Sequence, residues 1–264
     1  IITGLKRTED GIFRNGVRAW TSQAVHAGDV IETHLVETEP SDGILPRPVP
    51  FSVVYEDDDI LVVDKPADTP IHPSIGNYEN TLANGIAWYF EQKGEPFVYR
   101  CINRLDRDTT GLIVLAKHAL SAAVLSQAMR SREIHRTYQA FALGETAASG
   151  TIDAPIARLN GSLIQRTVDF ASGERSVTHY RTLAHCSVFS HLELNLETGR
   201  THQIRVHMAY IGHPLLGDTL YNKTPGTFPR QALHSASLSF VHPITGEPLN
   251  FHAPLPEDMQ NLLT

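Results

Sequence analysis

The sequence is poor in the features that mark membrane proteins and disulfide-bonded secreted proteins. Only two cysteines occur in 264 residues, Cys101 and Cys186, and their wide separation excludes a disulfide framework. The absence of paired Cys spacing also argues against a structural zinc site. No run approaches the roughly 18 apolar residues of a membrane helix, and no basic, apolar signal peptide opens the chain. We therefore expect a protein of the reducing cytoplasm that spans no membrane.

Positive charge is also scarce overall, but its distribution matters more than its total. The 22 Lys and Arg residues against 29 Asp and Glu residues give a formal net charge of −7. Residues 31–64 hold nine acids and one Arg, whereas residues 100–136 hold seven bases and three acids. Because the local sign of the charge decides whether an anionic polymer can dock, the acidic total does not exclude a nucleic acid partner.

Proline is concentrated in one stretch, and this stretch divides the chain. Four prolines fall within eleven residues: Pro40, Pro46, Pro48 and Pro50. Such a density is typical of a semi-rigid, partly extended linker. We place the linker at residues 39–50, between a small N-terminal unit over residues 1–38 and a large domain over residues 51–264.

Strand and helix patterns alternate along the large domain. Period-two or continuous apolar runs predict strands at 53–55, 60–63, 112–116, 138–143 and 192–196, the first two joined as a hairpin. Helical spacing predicts helices at 82–90 and 118–134, and a third between a cap at Thr201 and a stop at Gly212. Strands outnumber helices, and no repeat is visible. The class is therefore α+β, with a mixed, mostly antiparallel sheet flanked by helices and loops.

A polar turn at residues 103–111 reads N-R-L-D-R-D-T-T-G and precedes the apolar run at 112–116. Its composition alone favours a solvated loop with a turn-forming Asp. The segment nevertheless resembles the H-R-L-D-x-x-T-S-G motif of the RluA-type RNA pseudouridine synthases, whose Asp is the catalytic nucleophile. The resemblance assigns that role to Asp106. Asn103 stands where the family usually has His, and Thr110 where it has Ser, but neither change removes the Asp.

Further blocks resemble the same family in the same order along about residues 53–256. They are D-K-P-A with H-P at 64–73, R-T-Y at 136–138, T-G-R-T-H-Q-I-R-V-H at 198–207, G-H-P-L-L-G-D at 212–218 and A-L-H-S at 232–235. One departure is Asp68, which replaces a usual Gly in the first block. The resemblance implies the pseudouridine synthase fold and the isomerisation of specific uridines in ribosomal or transfer RNA.

The resemblance also implies the site residues. It gives catalysis to Asp106, Tyr138 and Arg205. It gives RNA contacts to the basic and imidazole side chains of the same blocks: Lys65, His72, Arg104, Arg107, Arg136, Arg200 and His202. It further implies RNA as the partner of a monomeric enzyme that needs no cofactor and no metal.

The reaction explains why these residue types are needed. Pseudouridine formation breaks an N–C glycosidic bond, turns the base and rejoins it through carbon, so nothing is oxidised. A carboxylate can add to the ribose C1′ or take a proton from C2′. Both routes need an ionised Asp, which a reference pKa of about 3.9 provides at neutral pH. The sequence does not choose between the two routes.

Three supporting roles complete the expected mechanism. Arg205, near a helix N-terminus, is the natural partner of a buried Asp106 carboxylate. Tyr138 can stack beneath the base and carry a proton when C5 loses its hydrogen. Because a base inside folded RNA cannot be reached, it must be extruded, and Arg104 beside the nucleophile can fill the vacated stack.

Residues 11–35 resemble the second half of an S4 RNA-binding module. The strongest signal is the turn at Asn15-Gly16, followed by a second turn at Gly28-Asp29. Arg14 stands where the module usually has an apolar residue. The helical half of the module would precede Ile1, so we expect further chain upstream. An ordinary N-terminal hairpin is the alternative interpretation.

Two other functions remain open from the sequence. An S4-linked RNA-binding protein with an inactive catalytic domain is one, although intact Asp106, Tyr138 and Arg205 argue against it. A retaining glycoside hydrolase is the other, and it would need a second carboxylate about 5–5.5 Å from the first. Asp108 is the only nearby acid in the sequence. A metal site at residues 57–59 is less favoured than a solvated hairpin turn.

Overall fold

Strands dominate the structure. The computed structural model describes Leu5 and residues 11–33, 40–224 and 226–263. Its strands are β1 Ile12–Arg14, β2 Val17–Arg18, β3 Ile31–Thr33, β4 Ser52–Glu56, β5 Ile60–Lys65, β6 Thr110–Ala116, β7 His135–Leu143, β8 Ser149–Asp153, β9 Ile156–Arg158, β10 Arg166–Val168, β11 Val177–His185, β12 Phe189–Leu196, β13 Leu233–Val241 and β14 Pro248–His252. Its helices are α1 Leu82–Lys93, α2 Ala119–Arg130, α3 Gln203–Tyr210 and α4 Glu257–Gln260. Within these residues, no helix has the length and apolar character needed to cross a membrane.

A nine-stranded sheet forms the centre of the large domain. The strand order is β4-β5-β6-β13-β7-β12-β11-β8, and β14 also pairs with β13. Strands β6 and β13 run parallel, and the other pairings of this sheet are antiparallel. The mixed, mostly antiparallel sheet predicted from the sequence is therefore confirmed.

Side-chain alternation along β5 gives the sheet an apolar layer on each face. Leu61 and Val63 pack in one core cluster together with the buried side of α1. Ile60 and Val62 pack in a second cluster with Leu125 of α2. Because neighbouring residues of a strand point to opposite faces, α1 and α2 cover opposite sides of the sheet.

Helix α1 confirms the helix predicted at 82–90 and runs three residues further. Thr81 caps it, because its hydroxyl accepts from Asn84 N at 3.3 Å while the Asn84 amide oxygen accepts from Thr81 N at 3.1 Å. The helix ends at Gly94, whose left-handed φ of +72° is the conformation that glycine favours.

Helix α2 is shorter than the predicted range of 118–134. His118 is its N-cap rather than its first helical residue, since the imidazole accepts from Ser121 N at 3.3 Å. Arg132 has a φ of +65°, which cannot continue a right-handed helix. Ile134 packs in the core beyond the helix end.

The N-cap of helix α3 lies one residue after the predicted cap at Thr201. Its N-cap is His202, which has a left-handed φ of +58° and makes no side-chain capping bond. Gln203 takes over part of that role, because its amide oxygen accepts from Arg200 N at 3.0 Å and from the Thr198 hydroxyl at 2.8 Å. The predicted cap was therefore wrong, although the helix itself is present.

The small N-terminal unit contains a three-stranded antiparallel sheet, β2-β1-β3. Asn15 and Gly16 have φ values of +54° and +74°, as the predicted hairpin requires. The Asn15 side chain donates to Asp29 at 2.7 Å and accepts from Val30 N at 2.8 Å, which ties the two predicted turns together. The β structure is confirmed, whereas the S4 assignment stays a prediction.

The described part of the Pro-rich stretch, residues 40–50, packs on the large domain. Ser41 N donates to the Phe97 carbonyl at 3.3 Å, and Arg47 N donates to the Asn84 carbonyl at 3.1 Å. Val49 is buried. Residues 42–43 form a turn, and these contacts attach the stretch to α1 and the loop after it. The boundary predicted at 38–39 lies outside the described residues.

Candidate active site

The turn that carries Asp106 leads directly into β6. Thr109 N donates to the Asp106 carbonyl at 3.1 Å and closes the turn. Gly111 has a φ of +112°, and a Cβ there would lie 2.3 Å from the Ser235 carbonyl oxygen of β13. Only glycine tolerates both the conformation and the approach of the neighbouring strand. The parallel pairing of β6 with β13 therefore fixes where this turn ends.

The two departures from the H-R-L-D-x-x-T-S-G motif have structural partners. Asn103 is buried, and its side chain donates to the Leu112 carbonyl at 3.1 Å and accepts from Val114 N at 2.9 Å. The Thr110 hydroxyl lies 2.8 Å from His234 Nδ1. Both side chains brace β6 and leave the Asp106 carboxylate untouched.

Arg205, on α3, holds two aspartates at once. Its Nε and Nη2 donate to Asp218 Oδ2 and Oδ1 at 2.7 and 2.9 Å, and its Nη1 donates to Asp106 Oδ2 at 3.1 Å. Asp218 is fully buried and also accepts from Leu220 N and Tyr221 N. These acidic partners raise the pKa of Arg205 above its ordinary value, although burial opposes the shift. The planar fork of Arg suits this double pairing, since it presents donors on two sides.

Sequence reasoning identified the Arg205–Asp106 contact but missed Asp218. Asp218 ends the quoted G-H-P-L-L-G-D block, and an acid beside such apolar residues was the signal that could have found it. The main ion pair of Arg205 is the bidentate one with Asp218. The expectation of a buried Asp106 also needs correction, because its side chain keeps 18% of its accessible surface.

His202 is the second basic side chain near Asp106. Its Nε2 lies 3.8 Å from Asp106 Oδ2, and its Nδ1 lies 2.8 Å from the Tyr221 hydroxyl. Burial lowers the pKa of His202. The imidazole is therefore neutral at neutral pH, and Arg205 supplies the positive charge that faces Asp106.

Tyr138, on β7, lies beneath the Asp106 turn. It is buried and lines a small cavity of about 50 Å³ together with Asp106, Arg205 and Leu233. Burial raises the pKa of Tyr138, while the nearby Arg136 guanidinium opposes that rise. The ring packs in the apolar core, and Tyr138 and Asp106 both line the small cavity.

An open groove of about 790 Å³ runs over the Asp106 turn. The exposed side chains of Arg104 and Arg107 line it, and so does His72, whose ring packs edge-on against Tyr99 at 4.7 Å. The groove is wide and polar, so it can take in an extended, charged substrate. Asp106 lies where the groove meets the small cavity, because it lines both.

The sequence matches one known protein family and a set of curated relatives. Residues 59–210 match the family described as RNA pseudouridylate synthase. The whole chain is 40% identical to an uncharacterized RNA pseudouridine synthase of Bacillus subtilis, YjbO, and the match covers 93% of that protein. It is 43% identical to ribosomal large subunit pseudouridine synthase D of Vibrio cholerae over 89% of this chain and 76% of that protein. The chain belongs to the RluA-type RNA pseudouridine synthases.

Solved structures agree with this family assignment. A human RNA pseudouridylate synthase, domain-containing 1, superposes with a TM-score of 0.65 at 26% identity, covering 82% of this chain and 86% of that one. The human domain-containing 4 structure gives a TM-score of 0.66 at 22% identity, covering 80% of this chain and 91% of that one. The fold is therefore that of the pseudouridine synthases, as expected from the sequence.

Lys65 does not lie where an RNA contact requires it. The Lys65 side chain is fully buried. Its Nζ donates to the carbonyls of Pro66, Thr69 and Arg107 at 2.8, 2.9 and 2.7 Å. All three ammonium protons are used, so none is left for a phosphate. Lys65 braces the Asp106 turn from below, and the expected RNA contact must be corrected.

Two other predicted RNA-contact arginines have partners of their own. Arg107 is exposed and pairs with Asp108 at 3.1 Å. Arg200 is exposed beside a second polar cavity and pairs with Glu174. Both charges are accessible to an anionic polymer, but each one now faces an acid that the polymer would have to displace.

Arg136 is the least exposed of the predicted RNA-contact arginines. It is half-buried, and its Nη1 lies 3.4 Å from the position that a Cβ on Gly199 would take. Its Nε is buried without a hydrogen-bond partner among the described residues. The structure thus places Arg136 next to Tyr138 and the T-G-R block rather than on the open surface.

The acidic hairpin at residues 57–59 is more ordered than a solvated turn. Asp57 accepts from Tyr55, from two backbone N–H groups and from His242 Nε2, the last at 2.9 Å. His242 Nδ1 accepts from Thr245 N at 3.0 Å, so the ring proton is on Nε2. In that tautomer Nε2 donates to Asp57, so hydrogen bonds hold Asp57, Asp59 and His242 together in this structure.

Proposed function

We propose that this enzyme converts specific uridines of large-subunit ribosomal RNA to pseudouridine, with Asp106 as the reacting carboxylate. The choice of RNA is supported by the curated relatives from Vibrio and Escherichia, which are named as ribosomal large subunit synthases. The role of Asp106 is supported by one observation above all. It is a carboxylate at the meeting point of the groove and the Tyr138 cavity; Arg205 donates to one of its oxygens, and no described residue donates a hydrogen bond to the other.

The proposed chemistry needs only groups that this chain supplies. As an ionised carboxylate, Asp106 either adds to the ribose C1′ as the N1–C1′ bond breaks or removes a proton from C2′. In both routes the uracil turns in place and its C5 bonds to C1′, while N1 gains a proton. In the addition route the bond between Asp106 and C1′ breaks as the C5–C1′ bond forms, and in the abstraction route Asp106 returns the proton to C2′. The hydrogen on C5 is then lost as a proton. Arg205 keeps the carboxylate oriented throughout, because Asp218 fixes the guanidinium from its other side.

Tyr138 is proposed to support the base and to receive or relay the C5 proton. Its position in the cavity that Asp106 also lines supports this role. Its raised pKa keeps the phenol protonated at neutral pH. Proton transfer through this hydroxyl must therefore exchange one proton for another, as a relay does.

Access to the carboxylate is proposed to require extrusion of the uridine from its stack. A duplex base cannot reach a carboxylate at the bottom of a cleft, and extrusion costs a few kcal/mol. Arg104, two residues before Asp106 and exposed in the groove, is placed to stack in the gap that the base leaves. Arg107, which lines the groove, and Arg200, which lines the small cavity, are proposed as phosphate contacts.

The remaining expectations are carried forward as parts of the same proposal. The N-terminal unit over residues 1–38 acts as a partial S4-like RNA-binding module, joined through residues 39–50 to the catalytic domain. The enzyme works as a monomer in the cytoplasm. Two free cysteines, Cys101 and Cys186, fit a reducing compartment.

Pseudouridine mapping in cells tests the proposal. Total RNA is compared between cells with the gene, cells without it, and cells that carry the Asp106→Asn form. We expect specific large-subunit sites to disappear in both deficient strains. Loss of sites in transfer RNA alone would reassign the substrate. Unchanged pseudouridine everywhere would favour the alternative, an RNA-binding protein without catalysis.

A further inference from the structure

The C-terminal end of the chain reaches the Asp106 turn through one buried arginine. Arg230 lies just before β13, and its side chain is 7% exposed. Its Nε and Nη2 donate to Asp258 Oδ2 and Oδ1 at 2.8 and 2.9 Å. Asp258 belongs to α4, which is anchored by the fully buried Met259. This bidentate pair fixes the plane of the guanidinium.

The third guanidinium nitrogen of Arg230 binds backbone. Nη1 donates to the carbonyls of Asp108 at 3.1 Å, Gln231 at 3.1 Å and Leu233 at 3.3 Å. Asp108 lies 122 residues before Arg230 in the chain, and its carbonyl belongs to the turn that carries Asp106. The side chain of Gln231 donates to the Thr109 hydroxyl at 3.2 Å, so the same segment also contacts the next residue of the turn.

Two buried cations therefore hold consecutive carbonyls of this turn. Lys65 binds the Arg107 carbonyl at 2.7 Å, and Arg230 binds the Asp108 carbonyl. The Arg230 backbone also lies close to Gly217, the residue before Asp218. Gly217 has a φ of +67°, and a Cβ there would lie 1.9 Å from the Arg230 carbonyl oxygen, directly before Asp218.

We propose that Arg230 and Asp258 are positioning residues that hold Asp106 in its reactive place from the C-terminal helix. This inference rests on the proposed role of Asp106. Asp258 orients the guanidinium, the guanidinium holds the Asp108 carbonyl, and that carbonyl sets the direction of the turn. Neither residue touches the substrate groove, so the pair acts on the rate of the chemical step and not on RNA affinity.

The chain offers a matched control on the same helix. Glu257 precedes Asp258 and is exposed, and its side chain makes no ion pair or hydrogen bond with the described residues. Glu257→Gln and Asp258→Asn remove the same charge from neighbouring positions. Arg230→Lys adds a third comparison, because an ammonium keeps the charge but cannot hold Asp258 in a bidentate way and reach the turn as well.

The test is a single-turnover assay with saturating enzyme, together with RNA binding by filter retention. All variants are assayed well below their melting temperatures. We expect Asp258→Asn and Arg230→Lys to slow the single turnover by between about 10-fold and 100-fold, which is the cost of misplacing a reacting group by about 1 Å. RNA affinity should stay unchanged, Glu257→Gln should match wild type, and Asp258→Glu should restore part of the rate.

Two results would overturn the inference. One is a single-turnover rate for Asp258→Asn equal to that of Glu257→Gln, and the other is a rate loss matched by an equal loss of RNA affinity. Failure of the underlying proposal is distinguishable. If Asp106 is not the reacting group, Asp106→Asn keeps its turnover whatever Asp258→Asn does. If only the positioning idea fails, Asp106→Asn is inactive and Asp258→Asn is not impaired.

Discussion

Two turns of this enzyme each carry an aspartate next to basic side chains, but the two carboxylates accept different numbers of hydrogen bonds. In the β4–β5 hairpin, Asp57 accepts four hydrogen bonds, two on each oxygen, from Tyr55, His242 and two backbone N–H groups. In the turn before β6, Asp106 accepts one, from Arg205, among the residues that the structure describes. A carboxylate has about four lone-pair positions. Asp57 is filled and holds a hairpin, whereas Asp106 has room for a substrate atom.

Asp218 shows how the open site is kept in order. Like Asp57, it accepts four hydrogen bonds, two from Arg205 and two from backbone N–H groups. Its four hydrogen bonds fix Arg205, and Arg205 donates to Asp106 from its third guanidinium nitrogen, Nη1. Asp218 thus orients the Asp106 carboxylate through Arg205, and Asp218 itself does not need to contact the substrate.

The largest expected difference between the two turns comes from making the same Asp-to-Asn substitution in each. Asp106→Asn should reduce pseudouridine formation to no more than a few per cent, because an amide is neither a nucleophile nor a base. Asp57→Asn should keep the rate and cost about 1–3 kcal/mol of unfolding free energy, since an amide nitrogen cannot accept from the fixed donors. Single-turnover rates and urea midpoints measure both. An active Asp106→Asn protein, or an inactive Asp57→Asn protein, would contradict the contrast.

Tyrosine offers a second matched pair. Tyr138→Phe keeps the ring that can stack on uracil but removes the hydroxyl, so we expect kcat to fall by roughly 10²–10⁴ with little change in RNA affinity. Tyr55→Phe removes a hydroxyl that donates to Asp57, and it should leave the rate unchanged at a cost of about 1 kcal/mol in stability. An unchanged single-turnover rate for Tyr138→Phe would return this ring to a purely structural role in the core.

Arginine removal separates buried from exposed ion pairs. Arg205→Ala leaves the fully buried Asp218 without its bidentate partner, and losing one side of a buried pair costs about 3–5 kcal/mol. Arg205→Lys should recover part of this stability. Arg181→Ala breaks the exposed pair with Glu193 and should cost no more than about 1 kcal/mol. Denaturant titrations measure the unfolding free energy of each variant. Equal losses for the two alanine variants would contradict the stabilising role given to the Arg205–Asp218 pair.

The sequence carried the local parts of this site well. Asn15-Gly16 and the apolar run at 112–116 gave a hairpin and the central strand β6, because each depends on neighbouring residues alone. The motif resemblance brought Asp106, Tyr138 and Arg205 forward, and the structure brings them around one cavity. Boundaries were weaker where the cap is unusual, as at His202, whose left-handed backbone has no sequence signature.

Long-range packing explains what the sequence could not provide. Nothing near Lys65 shows that its ammonium meets three carbonyls, one of them 42 residues away. The same holds for Asp218, whose guanidinium partner lies 13 residues earlier, and for Arg230, whose partners lie 28 residues later and 122 residues earlier. From the sequence such charged residues are expected at the surface, and only the tertiary structure shows that they are buried.

A smaller effect tests how the open turn meets RNA. Arg104→Ala should slow the reaction on folded RNA far more than on a short unstructured oligonucleotide with the same uridine, because only the folded RNA leaves a gap in a stack. Arg107→Ala, three residues along the same turn, should weaken both substrates alike through a lost phosphate contact. Rates on the two RNAs measure the ratio. An equal loss on both for Arg104→Ala would make it a phosphate contact as well.

The smallest expected effect is a pH dependence set beneath the Asp106 turn. Burial lowers the pKa of Lys65 to about 7, although the Asp108 and Asp106 carboxylates favour its charge. Below that pH three ammonium protons hold three carbonyls, whereas above it the amine has only two. We therefore expect the single-turnover rate to fall by no more than about tenfold between pH 6.5 and pH 8.5, since a loosened turn misplaces the reacting group.

Stability should move in the opposite direction, which makes the test specific. In the unfolded chain the pKa of Lys is about 10.4, so between pH 7 and that value the unfolded state binds more protons than the folded one. This group alone then makes the free energy of unfolding rise with pH across that window. Lys65→Met should be slower at pH 6.5 and lack both trends, as urea midpoints and rates at the two pH values will show. If the Met variant keeps the wild-type pH profile, the titrating group lies elsewhere, because general alkaline loosening would lower activity and stability together.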